Sequence, residues 1–291
     1  MILITGMAGF IGSNLLKSLI ERKEKIIGVD NLSIGNLRNI KIFLKYKNFK
    51  FIKKDVLSQN ILKIRKFDTV FHLASLIDVR ESFRMPSKYF SNIVGGSMNI
   101  LELARKNDAK IVFTSSAAVY GDYRRKVKES DRPKPLSPYG FFKLTVENLI
   151  KHYNRIYGID YTIFRLFNVY GENARTGIVK ILLDSVRKKK TFYLFGDGSQ
   201  KRDFVYVKDV CKILLNHHEL NNDVFNVGTG RPISIQKLIS LIQKISGKKI
   251  KIIKKPKVSG DIDYSCADNS KLLSKISYKF SRIENVLKNL I

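Results

Sequence analysis

The amino-terminal segment MILITGMAGFIGSN constrains the fold more than any other part of the chain. An apolar stretch, Ile2–Thr5, leads directly into Gly6, Gly9 and Gly12. Glycines at this spacing let main-chain amides approach a pyrophosphate, whose charge then lies at the positive amino terminus of the following helix. The pattern predicts a first strand, a dinucleotide-binding turn and a helix over Phe10–Ile20.

An acidic residue follows at the distance that such a turn requires. Asp30 ends the next apolar stretch, KIIGVD, 18 residues after Gly12. A carboxylate there accepts a hydrogen bond from a ribose 2′-hydroxyl and repels a 2′-phosphate. The alternative is a strand-to-helix turn that merely packs closely. Because that alternative does not account for the acid, we favour a cofactor site, and we predict NAD rather than NADP.

Further apolar stretches indicate the rest of the fold: Lys25–Val29, Phe49–Lys53, Thr69–Leu73, Lys110–Ser115 and Tyr161–Phe167. They are continuous rather than alternating and are separated by segments with helical spacing, which is typical of parallel strands buried on both faces. We predict an α/β fold: a doubly wound, Rossmann-type parallel sheet with a smaller C-terminal substrate-binding lobe.

The domain boundary is predicted after Phe167. Residues 1–167 form the NAD-binding domain, with segments near 204–228 returning to it, and residues 168–291 form mainly the substrate-binding lobe. This lobe contains a helix over Ser234–Ser246. Ligands of open α/β sheets bind beyond the carboxyl ends of the strands, so we expect a cleft between the two parts there.

Composition argues against several other classes of protein. Cys211 and Cys266 lack CxxC spacing and the four histidines form no cluster, so we expect buried thiols and no metal. No apolar stretch has the length of a membrane helix and the first residues lack a basic leader, so we expect a cytoplasmic protein without membrane contact. The net charge of +29 is spread along the chain, which indicates solvated lysine-rich faces rather than a nucleic-acid interface.

Two Tyr-x-x-x-Lys pairs are candidates for acid–base chemistry. Tyr139 and Lys143 follow Ser137-Pro138, which predicts the N-cap and first position of a helix. The ammonium then lies near the phenol on one helix face and favours its ionised form. Tyr46 and Lys50 have the same spacing but no helix start, and we interpret them as a chance match.

A hydroxyl-rich segment, Thr114-Ser115-Ser116, ends the fifth predicted strand. Hydroxyls at a strand end face the same cleft and can hydrogen-bond the oxygen whose proton Tyr139 removes. The alternative is an ordinary serine-rich turn.

Eleven segments together carry a family resemblance: TGMAGFIGSN, DNLSIGN, KKDV, VFHLAS, VRESFRMPSKYFSNIVGGSMNILELA, FTSSAAVYGD, SPYGFFK, RLFNVYG, FGDGSQKRDFVYVKDV, FNVGTG and SGDIDYSCAD. With them the chain resembles, over nearly its full length, the extended short-chain dehydrogenase/reductase family, in the epimerase/dehydratase branch typified by UDP-glucose 4-epimerase. The resemblance implies an NAD-dependent nucleotide-sugar 4-epimerase acting on UDP-glucose and UDP-galactose, or their N-acetylated forms, through a transient 4-keto sugar. It also implies a homodimer formed through the helices Ser87–Ala104 and Tyr139–Gly158.

The resemblance assigns roles to individual residues. The implied catalytic residues are Tyr139, Lys143 and Ser116, and the implied substrate-binding residues are Ser116, Asn168, Arg202 and Ser265. The implied NAD site comprises Gly6, Gly9, Phe10, Ile11, Gly12, Asp30, Asn31, Asp55, Val56, Leu73, Ala74, Asn92, Ser115, Tyr139 and Lys143. Asp55 is expected at the adenine amino group, Asn92 near the nicotinamide ribose and Arg202 at the substrate pyrophosphate. His72 is expected to order the end of the fourth strand.

Four positions refine the implied reaction. Ala117 and Ala118 stand where related dehydratases carry an acid pair and decarboxylases a glutamate, which favours simple epimerisation. Ser265 leaves space where a bulky side chain would crowd an N-acetyl group. Val258 stands where relatives have an arginine, a loss that Lys257 offsets in charge but not in bidentate geometry.

Alternative functions remain open from the sequence. Within the same branch they are a uronic acid 4-epimerase and a 4-reductase. In a different class stands a non-catalytic, NAD- or RNA-binding Rossmann protein, which the net charge of +29 would suit.

Overall fold

The computed structural model describes residues 1–257 and 262–291. Its strands are β1 (Ile2–Thr5), β2 (Ile26–Asp30), β3 (Phe49–Lys53), β4 (Thr69–His72), β5 (Lys110–Ser116), β6 (Tyr161–Leu166), β7 (Asn168–Tyr170), β8 (Phe192–Phe195), β9 (Lys201–Tyr206), β10 (Asp223–Val227), β11 (Pro232–Ser234), β12 (Ile252–Lys255) and β13 (Tyr264–Ser265). Its helices are α1 (Phe10–Glu21), α2 (Val79–Arg84), α3 (Pro86–Phe90), α4 (Gly96–Asn107), α5 (Pro138–Tyr157), α6 (Ile178–Lys188), α7 (Val207–Leu215), α8 (Ile235–Ser246), α9 (Ser270–Lys275) and α10 (Ile283–Leu290).

The central sheet of the described residues has seven parallel strands in the order β10-β6-β5-β4-β1-β2-β3. Its interior strands are almost entirely buried, and its two faces are covered by separate hydrophobic clusters, one including α1 and α7 and the other α4 and α5. The predicted doubly wound α/β fold is confirmed. Strand order changes direction between β1 and β4, which is where such folds leave a crevice for a ligand.

Local sequence explains the helix that packs against β5 and β6. Pro138 occupies the first turn of α5, and the Ser137 hydroxyl accepts a hydrogen bond from the Gly140 amide at 3.1 Å. Gly158 ends the helix in the left-handed conformation, which is a usual helix stop. On the neighbouring side, α3 and α4 are joined by a π-helical turn, Ser91–Gly95.

The carboxyl-terminal part carries smaller sheets and a third hydrophobic cluster. β9 pairs with β7, β11 and β13, and β8 pairs with β12. The cluster packs α6, α8 and α10 together. β10 instead pairs with β6 at the edge of the main sheet, so the chain returns there after β9.

The sequence also predicts the state of the cysteines and bears on metal ligands and membrane helices. Cys211 and Cys266 are free and buried, as the sequence predicts. Among residues 1–257 and 262–291, no cluster of three or more His, Cys, Asp or Glu side chains suits a metal ion. Over the same residues, no helix combines the length and apolarity needed to cross a membrane. Val258 lies outside the described residues.

Candidate active site

The turn between β1 and α1 leaves its main chain open to a ligand. Gly6 has φ +70°, and a Cβ there would lie 2.8 Å from the Ala74 amide nitrogen. A Cβ on Gly12 would overlap the Gly6 carbonyl oxygen. Within the described part of the chain, no side chain caps α1 and its first turn holds no acid. Unpaired amides of a first helical turn attract an anion, so this turn fits a pyrophosphate.

Asp30 is held at the end of β2 by main-chain amides. Its Oδ2 accepts from Ala8 N at 2.9 Å and its Oδ1 accepts from Leu32 N at 2.7 Å. Burial raises the pKa of Asp30, while these hydrogen bonds oppose the rise. Each oxygen has a second lone pair for a ribose hydroxyl. Next to it, Asn31 Nδ2 donates to Asp55 Oδ2 at 2.6 Å, so three predicted cofactor residues lie together.

The far wall of the crevice follows β4. Leu73 and Ala74 continue from the strand end, and Asn92 Oδ1 accepts from the Leu76 amide at 2.8 Å. His72 bridges the walls: its Nδ1 is 2.8 Å from Thr5 Oγ1 and its Nε2 is 2.9 Å from Ser97 Oγ. Burial lowers the pKa of His72 to about 3, so it is a neutral structural link between β1, β4 and α4.

Tyr139, Lys143 and Ser116 meet at the carboxyl end of β5. Lys143 Nζ lies 5.9 Å from the centre of the Tyr139 ring and donates to the Thr114 carbonyl at 3.0 Å. Burial raises the pKa of Tyr139, and its hydrogen bond with the Ser116 side chain lowers it. Burial also lowers the pKa of Lys143 to about 7. The three predicted catalytic side chains therefore lie close together.

Close packing holds this group in place. A Cβ on Gly140 would lie 2.5 Å from the Ala118 carbonyl oxygen, so α5 approaches the Ala117–Val119 turn directly. Ser116 Oγ accepts from the Ala118 amide at 3.1 Å. Ser82 Oγ accepts from the Tyr139 amide at 3.2 Å.

The predicted substrate residues come from three strands of one small sheet. Ser265 of β13 is in register with Arg202 of β9, and Asn168 of β7 donates through Nδ2 to the Asp203 carbonyl at 3.3 Å. A cavity of ≈ 100 Å³ adjoins Asn168 and extends to the start of α6. Lys257 Nζ is paired with Asp263 Oδ1 at 2.5 Å. Its ammonium is therefore engaged within the same lobe.

The sequence interpretation missed residues that hold these groups. Buried Asp203 accepts from the Thr229, Gly230 and Ala267 amides at 2.9, 2.9 and 3.2 Å, and so ties the segments around Arg202 together. Buried Glu147 accepts from Ser115 Oγ, which was expected to bind the cofactor. The four-residue spacing from Lys143 to Glu147 was visible in the sequence, but their distant partners were not.

Tyr46 and Lys50 lie in a different environment. The Tyr46 side chain is 41% exposed in a turn before β3, and Lys50 is exposed on β3 itself. Neither belongs to a helix. Without a shared helix face or burial, this pair has no means of activating its phenol.

Comparison with known proteins identifies the family. The NAD dependent epimerase/dehydratase family matches residues 2–228. A Methanocaldococcus jannaschii protein provisionally named UDP-glucose 4-epimerase is 42% identical over 250 residues, which are 84% of this chain and 81% of that one.

Two solved structures are similar over nearly their full length. The Methanobrevibacter ruminantium UDP-N-acetylglucosamine 4-epimerase, in complex with UDP-N-acetylmuramic acid, is 33% identical with a TM-score of 0.91, covering 99% of this chain and 95% of that one. The Bacillus cereus UDP-glucuronic acid 4-epimerase, in complex with UDP-glucuronic acid and NAD, is 31% identical with a TM-score of 0.92, covering 99% and 96%. The chain therefore belongs to the NAD dependent epimerase/dehydratase family, and its cofactor is NAD.

Proposed function

We propose that this protein is a nucleotide-sugar 4-epimerase whose acid–base group is Tyr139, Lys143 and Ser116. The observation that carries the proposal is the meeting of these three side chains at the end of β5, next to the crevice between β1 and β4. Family membership and the 4-epimerases among its relatives support the same reaction.

Proton transfer at the sugar C4 hydroxyl is the proposed task of Tyr139. Its phenolate accepts the proton, the Ser116 hydroxyl hydrogen-bonds the same oxygen, and Lys143 stabilises the phenolate by its charge. The proton returns from Tyr139 when the other C4 epimer forms. Burial of the phenol and ammonium keeps water away from this exchange.

The proposed cofactor site fits NAD. The α1 turn at Gly6, Gly9 and Gly12 would hold the pyrophosphate, and Asp30 would accept from the adenosine ribose. NAD bound in this site would supply the hydride chemistry at C4, first as acceptor and then as donor. The remaining proposed cofactor residues are Phe10, Ile11, Asn31, Asp55, Val56, Leu73, Ala74, Asn92 and Ser115.

The residues beside Ser116 favour epimerisation over elimination or decarboxylation. Ala117 and Ala118 form a short 3-10 turn and offer no group that exchanges a proton. Asn168, Arg202 and Ser265 are the proposed contacts to the sugar nucleotide. UDP-glucose and UDP-N-acetylglucosamine are the proposed sugars, and UDP-glucuronate remains the second candidate because a 31% identical structure is a 4-epimerase of that sugar.

A panel experiment tests the proposal. Purified protein with NAD is incubated separately with the UDP-linked glucose, N-acetylglucosamine and glucuronate, and proton NMR follows the C4 epimer. We expect equilibration of at least one pair without net consumption of NAD. Net conversion of NAD to NADH, with loss of the C4 hydroxyl as a 4-keto sugar, instead indicates a 4-reductase working in reverse. A chain that converts none of these sugars but gives a salt-dependent RNA shift contradicts the proposal.

We further propose a cytoplasmic homodimer formed through α3, α4 and α5. Phe90 and Phe141 are 51% and 57% exposed and flank Phe142, with ring centres 5.6 and 6.0 Å from its ring. Exposed aromatic groups on adjacent helices indicate an interface. Light scattering should give twice the chain mass, and Phe141→Glu should give the monomer. A monomeric unmodified protein contradicts this proposal.

A further inference from the structure

A fully buried ion pair lies behind the catalytic face and joins α5 to β6. Glu147 and Arg165 are 0% and 2% exposed. The guanidinium donates to both carboxylate oxygens, from Nη2 to Oε2 at 2.6 Å and from Nε to Oε1 at 3.0 Å. A buried ion pair is weak evidence for stability, because lost hydration can exceed the Coulomb attraction. Its surroundings indicate another role.

The first neighbour of the ion pair is the end of β5. Ser115 Oγ donates to Glu147 Oε1 at 2.5 Å. Ser115 stands between Thr114, whose carbonyl accepts from Lys143, and Ser116, the hydroxyl at the reacting oxygen. The Glu147 carboxylate therefore ties α5 to the β5 residue that lies between Thr114 and Ser116.

The second neighbour is the ammonium of Lys143. Lys143 and Glu147 are one helical turn apart on the same buried face of α5. Burial lowers the pKa of Lys143 and the negative charge of Glu147 raises it, with a result of about 7. The carboxylate thus helps Lys143 to keep its proton in an apolar environment.

The third connection runs toward the substrate-binding lobe. Arg165 Nη1 donates to the Tyr120 hydroxyl at 2.9 Å, which donates to Asn226 Oδ1 at 2.7 Å. Asn226 Nδ2 donates to the carbonyls of Val127 and Asp268 at 2.9 and 3.3 Å. A continuous hydrogen-bonded chain therefore runs from α5 to the segment that follows β13.

We propose that Glu147 and Arg165 are positioning residues for the epimerase reaction. Their ion pair holds the Lys143 ammonium and the Ser115–Ser116 strand end against Tyr139, and Tyr120 and Asn226 extend this connection to the substrate-binding lobe. The inference rests on the proposed function. The titratable and charged groups that interact with Arg165 are Tyr120, Glu129 and Glu147. Those that interact with Lys143 are His72, Tyr139 and Glu147.

Two variants test this role in the NAD-loaded enzyme. Glu147→Gln removes the charge, and Glu147→Gln/Arg165→Met also removes the guanidinium, so no unpaired charge stays buried if the single variant folds poorly. We expect kcat to fall about 10- to 100-fold in the folded variant, as for a small displacement of catalytic groups. Because Lys143 then loses its proton more easily, the alkaline limb of the kcat/KM profile should move to lower pH by about half a unit or more.

A direct titration separates this inference from the proposed function. The NMR signal of isotope-labelled lysine side chains, assigned to Lys143 by its loss in Lys143→Met, reports protonation without turnover. Its midpoint should fall in the Glu147 variants. Asp209→Asn is the matched control, since Asp209 is another buried carboxylate but hydrogen-bonds Tyr278 and Ser281 on the far side of the sheet.

The possible outcomes are distinct. An unmodified enzyme that converts no nucleotide sugar contradicts the proposed function alone. A folded Glu147 variant with an unchanged Lys143 midpoint and an unchanged kcat overturns the inference. If both Glu147 variants fail to fold, Ser115→Ala decides between the outcomes at full NAD content. An unchanged kcat overturns the positioning role, and a loss of about threefold or more supports it.

Discussion

The proposed cofactor half and the proposed sugar half of the active site are constructed differently. The cofactor side lies within the first 32 residues. It consists of a turn that has no side chains at Gly6 and Gly12 and of the Asp30 carboxylate, which backbone amides hold in place. On the sugar side, Asn168, Arg202 and Ser265 come from three strands far apart in the chain.

This difference indicates which part of the site tolerates amino-acid substitutions. A site made of main chain admits few substitutions, because an added Cβ meets backbone atoms that cannot move away. A site made of side chains on separate strands can change one residue at a time. Two solved structures with the same fold are accordingly named 4-epimerases of an N-acetylated sugar and of a uronic acid. This chain nevertheless belongs to the NAD dependent epimerase/dehydratase family.

The largest effect is expected where the two halves meet, at Tyr139. Tyr139→Phe removes the proposed general base without changing packing, so kcat should fall by roughly a few hundredfold while NAD stays bound. Turnover and the cofactor content of the purified protein are the measurements.

Tyr46→Phe is the matched control for this variant. It changes the other Tyr-x-x-x-Lys pair, which is exposed, and should leave kcat as in the unmodified enzyme. Equal losses in both variants, or no loss in either, would show that Tyr139 is not the base.

The second effect concerns the main-chain half. A Cβ on Gly12 would overlap the Gly6 carbonyl and lie 2.9 Å from Met7 Cα. Gly12→Ala should therefore displace the turn and weaken NAD binding by about 10- to 100-fold, a typical cost of overpacking. Calorimetric titration of the apo-protein measures it. Gly95→Ala is the control, because its Cβ would meet a Leu57 methyl at an ordinary 3.4 Å. Similar losses of NAD affinity in both variants would contradict a role of the Gly12 turn in binding NAD.

The same contrast explains how much the sequence predicted. The first strand, the glycine turn, Asp30 and the start of α5 depend on neighbours within a few residues, and the structure has them where the patterns place them. Asp203, Arg165 and Asn226 are recognisable only by partners 18 to 106 residues away. Buried polar groups are satisfied by the tertiary structure, so local patterns do not reveal them.

A third, smaller effect is expected at Asp30. Asp30→Ala removes acceptors for ribose hydroxyls and the charge that repels a phosphate, so NAD binding should weaken about tenfold and NADP binding should improve. Because burial raises the pKa of Asp30, acidification should imitate this substitution by protonating the carboxyl at a higher pH than it would for an ordinary aspartate. Binding of both cofactors is measured against pH. An unmodified protein that prefers NADP would contradict this role.

The smallest effect, a change of preference rather than a loss, is expected in the sugar half. Ser265 is partly buried beside Arg202, and we expect its small side chain to leave room for an N-acetyl group. The unmodified enzyme should therefore accept both UDP-N-acetylglucosamine and UDP-glucose. Ser265→Tyr should lower kcat/KM for the N-acetylated sugar by about tenfold and spare the other, because steric exclusion costs more than a missing contact. Ser265→Ala, which keeps the space, should retain both activities. If the ratio of the two kcat/KM values stays constant across the three proteins, residues other than Ser265 select the sugar. A single residue of the sugar half could then not be changed independently of the others, contrary to the difference from the glycine turn.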